Sequence, residues 1–142
     1  MKRQRSMRVE AHGTGFSLVE LLIVTSLMAI LLTMAVPAYR EQGARAHRSI
    51  AVTKLLRAAA CQARRRAQSG HYDTGACRPG ASERYAFQYQ LPGNAQADEY
   101  TLMAVPLGPQ EADHCGWLSL DHTGYQQVEH LEAGRSKCWS GR

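Results

Sequence analysis

The chain has 142 residues and a formal net charge of +5, from 17 basic and 12 acidic side chains. Lys2, Arg3, Arg5 and Arg8 against Glu10 place +3 of that charge in the first 15 residues. The remainder is nearly balanced, so the overall charge is no argument for nucleic-acid binding. The length excludes more than one small domain beyond an N-terminal helix.

A long apolar segment follows this basic leader, which ends at Gly15. Residues 21–39 are 19 residues without a charge, and as a helix they reach about 28 Å, enough to cross the apolar core of a bilayer. Glu20 lies at the start of the segment. A charge inside an apolar span costs roughly 2.5–3.5 kcal/mol, which indicates a functional role for this acid. Pro37 removes a backbone donor and predicts a kink.

The order of the leader differs from that of a secretory signal. Gly13, Thr14 and Gly15 stand before the apolar run, whereas a secretory signal has its small-residue cleavage site after that run. Cleavage after Gly15 would therefore leave the apolar helix on the mature protein, with Phe16 as its first residue. Met1 and Met7 both stay open as the start of this leader.

The helical pattern continues beyond the apolar segment and stops at Ser69–Gly70. Its predicted apolar stripe recurs at spacings of three and four and consists of Val52, Leu55, Leu56, Ala59 and Ala63. The run Arg64–Arg66 is interpreted as a solvated helix end, where cations suit the helix dipole. No aromatic residues alternate with it, as they do in single-strand binders.

After a polar loop at residues 70–83, four segments have the alternation typical of strands. These predicted strands lie in residues 85–91, 100–104, 115–121 and 125–128, with turns at 92–98 and 122–124. Short connections favour an antiparallel meander. A helix followed by such strands predicts an α+β fold, with the helix on one face of the sheet.

Four cysteines lie beyond the apolar segment, and they are Cys61, Cys77, Cys115 and Cys138. An even number in a small exported domain predicts two disulfides rather than a metal site. Three pairings are open. Sequential pairing closes loops worth roughly 3 kcal/mol each in the chain-entropy description. In that pairing, Cys61 would join the helix end to the loop that holds Cys77.

No catalytic constellation is present in the sequence. It lacks a glycine-rich phosphate loop, a GxSxG motif and an HExxH motif. We therefore expect no catalytic residue, no cofactor, no metal site and no enzymatic activity. His114, His122 and His130 recur every eight residues, but turns intervene, so they are interpreted as surface histidines. Trp117 and Trp139 are interpreted as packing residues.

The N-terminal motif resembles the class III signal of type IV pilins. The matching residues are Gly15, Phe16, Ser17, Leu18, Val19 and Glu20, followed by the apolar helix and Pro37. The resemblance implies that a prepilin peptidase cuts after Gly15 and N-methylates Phe16. It also implies that Glu20 pairs with the Phe16 amine of a neighbouring subunit, which would drive filament assembly and fix its register.

The second half of the chain resembles type IVa pilins, in particular PilE-like minor pilins. The matching stretches are YTLMAVP, CGWLSLDHTG and the late CW pair. This resemblance implies a disulfide between Cys115 and Cys138 that closes a C-terminal loop onto the sheet; a Cys61–Cys77 pair is less typical of the family. The implied fold is a long N-terminal α-helix packed on a four-stranded antiparallel β-sheet.

The implied organisation is a leader at 1–15, a transmembrane and filament-core half-helix at 16–42, and a globular pilin domain at 43–142. Within that domain the amphipathic half-helix spans 43–69, the αβ loop 70–83, and the sheet with the disulfide loop 84–142. The protein would be anchored by one span in the inner membrane and then enter an extracellular pilus. Its partners would be the prepilin peptidase, other major and minor pilins, and the inner-membrane assembly platform.

The predicted function is that of a structural subunit, a minor pilin, in fibres that serve twitching motility, adhesion or DNA uptake. A pseudopilin of a type II secretion system is the first alternative, although such proteins usually lack a cysteine-closed C-terminal loop. A DNA-receptor pilin is ranked third. Its exported domain has few basic side chains outside the helix, namely Arg78, Arg84, Arg135, Lys137 and Arg142.

Overall fold

The computed structural model describes residues 15–91 and 98–140. The predicted leader before Gly15 and the predicted turn between residues 92 and 97 lie outside the described residues. The helix α1 spans Leu18–Ser69. The strands are β1 (Tyr85–Gln90), β2 (Thr101–Pro106), β3 (Leu118–Asp121) and β4 (Gln126–Val128), and a short helix α2 (Arg135–Ser140) follows them.

The two ends of α1 are set by local chemistry. Ser17 caps the first turn, since its hydroxyl oxygen accepts a hydrogen bond from Val19 N at 3.3 Å and its carbonyl accepts one from Leu21 N at 3.1 Å. At the other end Gly70 has a φ of +81°, and its N–H donates to the carbonyl of Arg66. The helix therefore stops at the predicted Ser69–Gly70 pair.

The four strands form one antiparallel sheet in the order β1-β2-β3-β4, which confirms the predicted meander. Leu102 on β2 is directly opposite Leu120 on β3, and Leu118 is opposite Val128 on β4. These four side chains are buried and lie on the face that packs against α1. The alternation along each strand thus gives the sheet one apolar face.

The core lies between the second half of α1 and this face of the sheet. Ala51, Val52, Leu55 and Ala58 of α1 pack with buried residues of the strands, including Tyr85 of β1. The α+β fold with a long helix on a four-stranded sheet is therefore confirmed within the unit Ala38–Arg142.

The predicted apolar stripe of α1 is partly wrong. Leu56 is 46% exposed and Ala63 is also exposed, whereas the polar side chains of Arg48 and Gln62 are completely buried. Hydrophobic spacing alone could not identify this face, because both polar residues are buried together with hydrogen-bond partners supplied by distant parts of the chain.

The third strand is shorter than predicted and begins at Leu118 rather than Cys115. Gly116 has a φ of +63°, which is not an extended conformation, so residues 115–117 form a turn before the strand. Two further elements were not predicted, a 3-10 helix at Gly108–Ala112 and the helix α2 at Arg135–Ser140.

Candidate functional site

The first half of α1 exposes an apolar surface. Its large hydrophobic side chains from Phe16 to Val36 are between 44% (Val24) and 86% (Leu18) exposed. Among the described helices, α1 is long and apolar enough to cross a membrane, and none of its most apolar 18-residue stretch is buried. A continuous apolar surface of this kind is unfavourable in water, so it needs lipid or protein around it.

The residues predicted for processing and assembly lie along this segment. Phe16 immediately precedes the helix and is 84% exposed, and Glu20 lies in the first helical turn. Glu20 is exposed and has no ion-pair partner among the described residues of this single chain. Pro37 lies inside α1, where it provides no backbone donor for the carbonyl of Thr33.

A buried polar cluster connects α1 to the globular domain. Arg48 forms an ion pair with Asp113, and both side chains are completely inaccessible to solvent. Asp113 also accepts hydrogen bonds from Gln110 Nε2 at 2.7 Å and from Tyr85 Oη at 3.3 Å. Burial and the Asp113 carboxylate raise the pKa of Tyr85. This cluster fixes the position of α1 relative to β1 and the 3-10 helix.

A second set of contacts holds the loop between α1 and β1. Cys61 and Cys77 form a disulfide with a Cα–Cα distance of 5.6 Å. The neighbouring Gln62 donates from Nε2 to the carbonyl of Asp73 at 3.0 Å and accepts from the N–H of Asp73 at 2.9 Å. The loop is thus attached to the helix by one covalent bond and one paired set of hydrogen bonds.

The C-terminal segment is closed by the second disulfide, between Cys115 and Cys138, which confirms the predicted C-terminal loop. Cys138 lies in α2, and the adjacent Trp139 is 8% exposed. Trp139 Nε1 donates to the carbonyl of Gln127 at 3.2 Å. These contacts attach α2 to β4, and Trp139 has the packing role predicted for it.

The exposed cations occupy two separate places. Arg64 and Arg65 are exposed at the end of α1, whereas Arg66 donates to Tyr72 Oη at 2.8 Å. In the C-terminal loop, the Arg135 guanidinium lies 5.2 Å from the ring centroid of the exposed Tyr125. This second arrangement, a cation over an aromatic ring beside Lys137, has no counterpart at Arg64 and Arg65.

The only described group of potential metal ligands in this structure is formed by His114, Cys115 and Cys138. Both cysteine sulfurs belong to the disulfide, so neither is a thiolate that could bind a metal ion. His114 and His130 are about half exposed, in agreement with their interpretation as surface histidines.

Comparison with known proteins gives a consistent family. The sequence profile of a family described as the type IV minor pilin ComP, DNA uptake sequence receptor, matches residues 37–119. A solved structure of a type IV pilin from Shewanella oneidensis is 31% identical, with a TM-score of 0.52, over 58% of this chain and 89% of that chain. No curated protein sequence matches significantly.

A second solved structure, the non-core minor pilin PilV of Neisseria meningitidis, is 24% identical over 61% of this chain and 87% of that chain, with a TM-score of 0.45. The family match covers the second half of α1 and three strands, and the exposed apolar segment precedes it. The matched half of the chain and the fold it adopts show that this protein is a member of the ComP family of type IV minor pilins.

Proposed function

We propose that this minor pilin is synthesised as a prepilin, cut after Gly15 and N-methylated on Phe16 by a prepilin peptidase. The leader would be residues 1–15 and the membrane half of the helix residues 16–42. Residues 43–142 would form the exported globular domain. The mature chain waits in the inner membrane as a single-pass protein. The inner-membrane platform then inserts it among other pilins, and it acts by assembly rather than by catalysis.

The observation that carries this proposal is the exposed apolar surface of α1. An apolar helix of this length is stable in lipid before assembly and among the helices of other subunits after it. The globular domain has its own core between α1 and the sheet, so it does not need the apolar segment to fold around. The chain thus has one part for the filament interior and one part for its surface.

Glu20 gives the transfer between these two environments a direction. A carboxylate at the lipid-facing start of a helix is costly, and among the described residues its own chain offers it no ion-pair partner. The methylated amine of Phe16 in an adjacent subunit is a cation available at the same depth. Pairing with that amine is favourable only in the filament, so Glu20 would favour assembly and set the axial register.

Intact-mass measurement of the protein recovered from sheared surface fibres tests this proposal. The expected species consists of residues 16–142 with one added methyl group, and it is four hydrogens lighter than the reduced chain because of its two disulfides. An uncut chain would contradict the processing step. A processed chain found only in the membrane fraction would favour the pseudopilin alternative over a pilus subunit.

DNA capture by the fibre is the second candidate function. The matched family is described as a DNA uptake sequence receptor, and Arg135, Tyr125 and Lys137 supply two cations and an aromatic ring on the exposed C-terminal loop. Phosphates attract such cations, and an exposed ring can stack on a base.

The test is the retention of duplex DNA by fibres at increasing salt. We expect Arg135→Gln with Lys137→Gln to weaken retention and to reduce its salt dependence by up to about two charges. The matched control Arg64→Gln with Arg65→Gln removes the same charge from the end of α1. An equal effect of both pairs would contradict a specific site in the C-terminal loop.

A further inference from the structure

A groove lies beside α1 where the helix leaves its apolar segment. It has a volume of about 1020 Å³ and is lined by residues 39–48 of α1, by Arg84 before β1, and by residues 109–114 around the 3-10 helix. We call it the base groove. All of its lining residues belong to the unit Ala38–Arg142.

The base groove has an excess of positive charge. Arg40, Arg45, Arg48 and Arg84 line it together with only two carboxylates, Glu41 and Asp113. Arg45 pairs with Glu41 and Arg48 pairs with Asp113. Arg40 and Arg84 have no carboxylate partner among the described residues, so two cations remain to attract an anion.

The buried arginine of the groove has donors to spare. Arg48 is completely inaccessible to solvent, and its Nε and Nη2 have no hydrogen-bond partner among the described residues. The Nε of Arg45 is in the same situation. Unpaired guanidinium donors beside a groove suit a ligand with several strong acceptor oxygens, and a phosphate group is the anion whose geometry fits them.

The place of these arginines along the chain indicates which phosphate they would meet. Arg40 follows the last residue of the uncharged stretch, and Arg45 stands five residues, about 8 Å, further along the helix. The headgroup layer on each side of a bilayer is roughly 5–8 Å deep. The exposed Tyr39 is an aromatic residue of the kind enriched at this interface.

We infer that the base groove binds the phosphate headgroup of an anionic phospholipid while the subunit waits in the membrane. The inference rests on the proposed membrane-held state. Arg40 and Arg84 attract the headgroup, and the spare donors of Arg45 and Arg48 receive its phosphate oxygens. Basic pockets beside membrane helices bind anionic lipids through the same chemistry.

Native mass spectrometry of the mature full-length chain tests this inference, in micelles that contain phosphatidylglycerol and phosphatidylcholine in equal amounts. We expect one phosphatidylglycerol to be retained in preference to phosphatidylcholine. Arg40→Gln with Arg84→Gln should reduce this preference at least about tenfold, from the loss of two cations near the headgroup. Both substitutions leave the buried Arg48–Asp113 pair in place, so the fold should persist, as circular dichroism would verify.

The matched control is Arg64→Gln with Arg65→Gln, which removes the same charge at the far end of α1 and should leave the preference unchanged. Equal retention of the two lipids, or an equal effect of both variant pairs, would overturn the inference. Displacement of the lipid by equimolar inorganic phosphate or by duplex DNA would also overturn it, since the site would then serve another phosphate. A chain absent from cell membranes would contradict the proposed function as well. A membrane-bound chain without lipid preference would contradict only the base-groove inference.

Discussion

Arg48 and Asp113 form a completely buried ion pair across 65 residues of sequence. The pair joins the helix to the turn that precedes the C-terminal disulfide loop, and Asp113 Oδ1 also accepts the backbone N–H of Cys115 at 3.2 Å. A buried charge that loses its partner retains its desolvation cost without the compensating attraction. The stability of the globular domain should therefore respond much more to breaking the pair than to replacing it.

The first prediction is a double-mutant cycle on this pair. Asp113→Ala should lower the free energy of unfolding by about 3–5 kcal/mol, because Arg48 then stays buried without its partner. Arg48→Met combined with Asp113→Leu should cost clearly less than the sum of the two single changes. Denaturant unfolding followed by tryptophan fluorescence measures both values. Additive losses would show that the two side chains do not act as a pair.

Much of this architecture could be predicted from the sequence, since local signals define it. The stop of α1 at Ser69–Gly70 follows from the conformational freedom of glycine, and the strand order follows from short connections. The buried positions of Arg48 and Gln62 could not be predicted. Their partners lie 65 and 11 residues away, and side-chain hydropathy places both residues on the solvent face.

The candidate site divides in the same way. The apolar segment and its acid are recognisable from composition alone, because nothing else in the chain has 19 successive uncharged residues. The base groove required the structure, since Arg84 is brought beside Arg40 only by the packing of β1 and the 3-10 helix on α1. The 3-10 helix itself has too few residues for a periodic signal.

The second prediction concerns the turn before β3. Gly116 has a φ of +63°, and an added Cβ would lie 2.6 Å from the Cβ of Glu129. Gly116→Ala should thus cost more than the roughly 1–2 kcal/mol of left-handed strain alone. Gly124 is the matched control, since its φ is +87° and an added Cβ meets nothing within 4 Å. Equal melting temperatures for the two alanine variants would contradict the predicted steric contact.

The third prediction separates the two disulfides by what each one holds. Replacing either pair by alanine should lower stability by roughly 3 kcal/mol. Loss of Cys115–Cys138 should also release α2 and shift the fluorescence of the buried Trp139 to longer wavelength. Loss of Cys61–Cys77 should leave that fluorescence unchanged and speed tryptic cleavage at Arg78 in the loop. Identical fluorescence and cleavage in the two variants would show that the loops are not independent.

The fourth prediction is a loss of stability in alkali. Burial and the neighbouring Tyr89 raise the pKa of Tyr100 to about 12. A raised folded-state pKa gives stability that is fully present below the unfolded value of about 10 and is lost as the pH rises through the folded value. We expect Tyr100→Phe to remove roughly 2 kcal/mol of this loss between pH 10 and 12. The exposed Tyr125→Phe serves as control, and an equal effect of both changes would contradict burial as the cause.

The fifth prediction tests the role of Glu20 in assembly. If its negative charge is relieved only beside the Phe16 amine of another subunit, Glu20→Gln should reduce the amount of subunit in sheared fibres at least about tenfold while the membrane pool persists. Ser17→Ala is the matched control, because it removes the capping hydrogen bond to Val19 N but leaves the charge. Normal incorporation of Glu20→Gln would exclude the charge as the driving group. A comparable loss for Ser17→Ala would instead indicate that assembly depends on an intact first helical turn.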